Sequence, residues 1–190
     1  EALCEKHEMF GILQIDAHAD LRIAYEDFEF SHASIMYNAL KNSNVSKLVQ
    51  VGIRDISGSE AKMINDSQGR IITYYDIHLK VRKFEGKRWK STCKDIIKNL
   101  PDKVYISFDI DGLDPKHCPH TGTPVPGGFE MEEIMYLLKM LVSQGKEIIG
   151  FDLCEVAPGE DEWDGNVGAR ILYRLGNLMG VSQGKLSFNK

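Results

Sequence analysis

The sequence predicts an α/β protein of three layers, with helices on both faces of a mostly parallel sheet. Two observations carry that expectation. Short apolar runs rich in β-branched residues alternate with segments of helical periodicity, and acidic motifs stand directly behind two of those runs, at the sheet edge where α/β proteins collect ligands. At 190 residues with 43% hydrophobic content, the chain can bury a core of ordinary size as one domain, residues 1–190.

In chain order the expected strands are residues 10–15, 47–53, 70–75, 104–108 and 147–153, each an apolar run of buried-strand length. Helices are expected between and after them, at 34–42, 59–65, 88–100, 131–143 and 166–179. Leu137, Leu138 and Leu141 repeat at helical spacing in the fourth, and Ile171, Leu172, Leu175 and Leu178 do so in the fifth. The Pro/Gly-rich stretch 115–128 reads as a long ordered loop, placed behind the fourth strand as a wall of an active site.

Composition narrows the partners. A net charge of -5 and a pI near 5.7 disfavour nucleic acid and anionic membrane, which both need a basic face. There is no apolar stretch of spanning length and no signal-peptide pattern at the start, so a cytoplasmic protein is expected. Cys4, Cys93, Cys118 and Cys154 are far apart and form no CxxC pair, which reads as reduced thiols. Because the chain starts on Glu1 and reaches its first acidic strand end by residue 16, further strands are expected ahead of it.

The two acidic motifs are Asp16-Ala17-His18-Ala19-Asp20 and Asp109-Ile110-Asp111. On an extended backbone, residues i and i+2 point the same way, so each motif is expected to aim its ligands at one point. Carboxylates crowded into one cavity repel unless cations neutralise them. Oxygen-rich donors with an imidazole and no thiolate favour Mn²⁺ or Mg²⁺, with two Mn²⁺ as the first choice. The plain alternative is turn and cap chemistry at each motif.

The segments DAHADLR (16–22), SHAS (31–34), VGIRD (51–55), SFDIDGLDP (107–115), TGTPVPGG (121–128) and FDLCEVAP (151–158) together resemble the ureohydrolase family of arginases and agmatinases. That resemblance implies an arginase-like fold and a binuclear Mn²⁺ centre. Asp16 and Asp109 would bridge the ions, Asp20 would bind one, and His18 and Asp111 the other. A sixth ligand, a family histidine, is expected upstream of this chain. Glu155 matches the glutamate that pairs with the substrate guanidinium, and His32 matches a proton-shuttling histidine, a task suited to an imidazole. Thr123 and Asp152 match substrate-proximal positions. The activity implied is release of urea from a small cationic guanidino substrate, by a homo-oligomer, trimer or hexamer.

Where arginases read the amino-acid end of arginine, this chain has Arg22 and Ser57, so agmatine is the expected substrate. The alternatives are arginase, guanidinobutyrase or formiminoglutamase activity, or a non-catalytic paralogue. Residues 160–164 could form an acidic, aromatic lip to the cavity, against a plain reading as a solvated acidic loop. His117-Cys118-Pro119-His120 reads as loop rather than metal site, since no second Cys/His cluster accompanies it. His78 reads as an ordinary histidine.

Overall fold

The computed structural model describes residues 2–188. Its elements run β1 (Phe10–Ile15), α1 (Ile35–Ala39), β2 (Val45–Ile53), α2 (Gly58–Asp66), β3 (Ile71–Tyr75), α3 (Asp76–Phe84), α4 (Trp89–Ile97), β4 (Lys103–Asp109), α5 (Met131–Ser143), β5 (Glu147–Cys154) and α6 (Trp163–Ser182). All strand pairs are parallel, in the order β3-β2-β1-β4-β5. The chain winds outward from β1 toward β3, then crosses back to place β4 on the other side of β1. The crevice opened by that reversal lies beyond the carboxyl ends of β1 and β4, where Asp16 and Asp109 stand.

Alternation along the strands sends their side chains into two cores. Leu13, Ile15, Val49, Val51, Val104, Ile106 and Phe108 pack with α4, α5 and α6 on one face. Phe10, Ile12, Leu48 and Ile71 pack with Met36 of α1 and, at the margin, Met63 and Ile64 of α2 on the other. Helices therefore cover both faces, as expected. Among the described residues, no helix is long and apolar enough to cross a membrane.

The strand expectations hold to within two residues at either end. The expected helix at 34–42 is shorter: a 3-10 turn, His32–Ser34, leads into the five residues of α1. Helix α3 was not expected at all. Four of its nine residues are charged, only Asp76 and Leu79 are buried in it, and it follows β3 with no intervening loop and no side-chain cap. Sequence offers no capping start signal there, although Ile77, Val81 and Phe84 do repeat at helical spacing.

Candidate metal centre

Strand β1 ends at Ile15, and the chain turns instead of continuing extended. Asp16 Oδ1 accepts the His18 backbone N–H at 2.6 Å, and Asp20 sits at φ +54. Behind β4, residues Ile110–Gly112 form a 3-10 turn in which Asp109 Oδ1 accepts the Asp111 N–H at 2.9 Å. The extended i, i+2 geometry expected for both motifs is thus replaced by two tight turns. They interlock: Asp111 Oδ1 accepts the Ala17 N–H at 3.0 Å, and a Cβ on Gly112 would lie 2.8 Å from the Asp16 nitrogen.

The result is a cavity of about 320 Å³ lined by Asp16, His18, Asp20, Asp109 and Asp111, with His32, Thr123 and Glu155 around it. Depressions of about 590 and 800 Å³ exist elsewhere, but neither gathers a histidine with facing carboxylates. Asp16, His18 and Asp111 present donor atoms within 4.8 Å of one another, close enough to share one ion. Asp20 and Asp109 line the same space without joining that tight group.

Glu155 also occupies the left-handed region, at φ +59, and its carbonyl accepts the Thr121 hydroxyl at 3.0 Å. Two non-glycine residues of the cavity wall, Asp20 and Glu155, are therefore held in a costly backbone conformation, a pattern that clusters at functional sites. Asp152 lies lower on β5, accepting from Ser107 Oγ at 3.1 Å, and does not line the cavity. Nor do residues 160–164. Trp163 begins α6 and donates its indole N–H to the Lys116 carbonyl, while buried Asp164 pairs with His120, so no acidic lip forms. His117-Cys118-Pro119-His120 is the tail of a 3-10 turn followed by loop, with Cys118 buried.

Electrostatics reflect charges held out of water. Burial, then repulsion from Asp16, pushes Asp20 up to about 9 and, with Asp111 adding to it, Asp109 up to about 10. Asp16 is raised to about 6, mainly by burial. The carboxylates of Asp111 and Asp16 beside the ring push His18 up to about 10. Asp111 moves the other way: burial opposes its charge, but His18 and the Ala17 N–H outweigh it. One contact in this cluster is left incomplete. His18 Nδ1 lies 3.0 Å from Asp111 Oδ2, yet that buried oxygen has no aligned hydrogen-bond donor.

Several supporting residues escape a reading by motif. Arg54 donates to the carbonyls of Asp111, Leu113, Val125 and Gly52, lashing the 121–128 loop to the acidic turn. Glu60 is buried and holds the backbone just after Asp20. Gln14 and Gln50 are fully buried in strands otherwise apolar at their interior positions. The only sequence signal for the glutamines is polarity inside a buried run.

The Arginase family matches residues 1–176. The N(1)-aminopropylagmatine ureohydrolase of Thermus thermophilus is 32% identical over 178 residues, covering 94% of this chain and 57% of that protein. The guanidinobutyrase of Pseudomonas aeruginosa is 31% identical over 187 residues, covering 92% of this chain and 54% of its own length. The chain thus spans little more than half of these curated relatives. Among solved structures, the proclavaminate amidino hydrolase of Streptomyces clavuligerus superposes with a TM-score of 0.81 at 24% identity, covering 95% of this chain and 60% of that one, a likeness of fold. With the family match running from the first residue well into α6, over a parallel sheet whose switch point carries the acidic turns, the chain belongs to the arginase family.

Proposed function

We propose that this chain carries the metal centre of an amidinohydrolase that releases urea from a guanidino compound, with agmatine as its substrate. The observation that carries the reading is the cluster of buried carboxylates around His18, in which Asp111 Oδ2 lacks a hydrogen-bond donor. His18 Nδ1 and Asp111 Oδ2 face each other across 3.0 Å without hydrogen-bond alignment; without metal the ring holds its proton, and a cation bound there would displace that proton and take both atoms as ligands. The donor set fits a hard divalent ion: carboxylate oxygens, one imidazole and no facing thiolate, since Cys154 at the rim holds its proton to about 12. Asp16, His18, Asp20, Asp109 and Asp111 would hold two Mn²⁺. When bound, such a pair supplies a water activated for attack near neutrality.

The remaining groups handle the substrate. Glu155, on its strained turn across the cavity, can accept two N–H groups from a planar guanidinium and hold its carbon toward the metal-binding side. His32 is held edge-on to Tyr25, with ring centroids 5.5 Å apart, and lines the same space, where it can pass a proton to the departing amine. Thr123 lines the same cavity. Asp152, one step below the cavity, would act by orienting Ser107 and its neighbours rather than by touching substrate.

Asp55, exposed in the wall, suits an ammonium tail such as that of agmatine. A second reading rests on Arg22, which also lines the wall, its guanidinium carbon 5.2 Å from the Tyr25 ring centroid. A cation there suits a guanidino acid such as 4-guanidinobutyrate. The test is metal content of the intact protein, followed by urea release from agmatine, arginine and 4-guanidinobutyrate with Mn²⁺. Turnover of agmatine above the others supports the first reading, and preference for 4-guanidinobutyrate the second. Absence of both bound metal and urea sinks the proposal.

A further inference from the structure

We infer that Gln14 and Gln50 are positioning residues of the metal centre, a buried two-amide relay that fixes the Asp16 carboxylate from beneath. The inference rests on the metal reading above. It starts from register: Thr73, Gln50 and Gln14 are direct partners across β3, β2 and β1, so their side chains share one row on one face of the sheet. Asp16 stands two residues beyond Gln14, just past the end of β1, and turns its carboxylate back to the end of that row.

The row is bonded end to end. Thr73 Oγ1 donates to Gln50 Oε1 at 2.7 Å, Gln50 Nε2 donates to Gln14 Oε1 at 2.7 Å, and Gln14 Nε2 donates to Asp16 Oδ2 at 2.9 Å. The spare N–H of each amide goes to the acidic turn itself: Gln50 Nε2 also reaches the Ala19 carbonyl at 2.7 Å, and Gln14 Nε2 the His18 carbonyl at 3.2 Å. The direction of the relay is fixed by its surroundings. Flipping Gln14 would set its carbonyl against the Asp16 and His18 oxygens, and flipping Gln50 would set its own against those of Gln14 and Ala19.

Both glutamines are 0% exposed, and one register step below them the same face carries Ile12 and Leu48. Packing alone would be met by more aliphatic side chains, because a buried amide gains little net stability over an apolar residue of like shape. What the amides add is orientation. Asp16 Oδ2 receives an N–H from below and Oδ1 one from His18, so the carboxylate plane is locked while each oxygen keeps a lone pair free. The same side chains pin the carbonyls of two successive peptides, His18–Ala19 and Ala19–Asp20.

The probe is Mn²⁺ titrated calorimetrically into the intact, metal-stripped protein, with Co²⁺ substituted as a spectroscopic reporter. Gln14→Leu and Gln50→Leu are each expected to weaken metal binding by about 10- to 100-fold and to shift the Co²⁺ absorption, the range typical of groups that orient a ligand. Gln50 does not touch Asp16, so its effect must pass through Gln14 or through the Ala19 carbonyl that it holds. The double variant should accordingly lose less than the two single losses combined, because one of the two routes is shared. Thr73→Val, which removes only the outermost donor, provides the folded variant if a core change collapses the protein; it should show a smaller loss of the same sign. Wild-type affinity and an unchanged spectrum in the folded variants would overturn the relay, whatever their melting temperature. Wild-type protein that binds neither ion would instead overturn the metal reading, and the relay with it.

Discussion

Glu60 Oε1 accepts the Leu21 backbone N–H at 3.0 Å, while Oε2 accepts the Ser57 N–H at 2.9 Å and the Ser57 hydroxyl at 2.6 Å. One buried carboxylate therefore closes the capping box of α2 and secures the residue directly after Asp20, whose φ of +54 resists relaxation only while its neighbours are held. Glu60→Ala leaves the Leu21 N–H without a partner and opens the cap. We expect a loss of about 1–3 kcal/mol in chemical unfolding, together with weaker metal binding. Glu60→Gln keeps an acceptor and should lose less of both. Unfolding curves and metal titrations that match wild type for Glu60→Ala would show that the contact holds nothing.

Gly112 is required for closeness rather than for flexibility. A Cβ there would sit 2.8 Å from the Asp16 nitrogen and 3.1 Å from the Ile15 carbonyl carbon, both backbone atoms that cannot swing aside. Gly112→Ala should force the two acidic turns apart, at about 1–3 kcal/mol by the usual cost of overpacking. Its metal affinity should fall further than its stability suggests, because Asp111 and Asp16 would separate. A variant with normal stability and normal metal binding would rule this out.

How far the sequence could be read follows from where each signal lies. The strands were legible because β1, β2 and β4 are largely buried and spelled mostly in Ile, Val, Leu and Phe, as in Phe10–Ile15 and Lys103–Asp109. Asp16, His18, Asp20, Asp109 and Asp111 were legible as motifs, although the turns that unite them were not, since extended and turned backbones can leave the same residues facing one cavity. Glu60 and Arg54 act through bonds to residues 39 and as many as 71 positions away, and no local pattern marks such a partner. Gln14 and Gln50 show up as polar residues in apolar runs, but that they pair depends on a register known only once β1 and β2 are aligned.

His120 and Asp164 make a pH-sensitive tie between the 117–120 loop and α6. Buried Asp164 accepts both the His120 backbone N–H and ring Nδ1 at 3.0 Å, and this hydrogen bond raises the pKa of the imidazole. A histidine raised on folding contributes stability that is fully present below its ordinary value of 6.5 and is lost as pH climbs through the higher folded value. The stability gap between wild type and His120→Ala should therefore be wider at pH 5.5 than at pH 8.5. Denaturant unfolding at the two values measures it, and a gap independent of pH would mean that the charged pair contributes nothing.

Asp109 separates a structural acid from a metal ligand. Burial and the neighbouring Asp16 and Asp111 charges push it up to about 10, so without metal it holds a proton at neutral pH, and its Oδ1 accepts the Asp111 N–H. A protonated carboxyl and an amide have nearly the same shape and hydrogen-bonding capacity. Asp109→Asn should accordingly leave the stability of the metal-free protein within about 1 kcal/mol of wild type, as for a change that breaks no buried bond. With metal the two should diverge. Wild type at a hundredfold excess of Mn²⁺ over its Kd gains about 2.7 kcal/mol for each site filled in the folded state alone, whereas an amide cannot supply the negative charge that balances the ions, so the variant should gain little. Thermal melts of both proteins with and without Mn²⁺ decide the matter. Equal metal-induced shifts would remove Asp109 from the metal site, and a large loss in the metal-free variant would mark it as a structural acid.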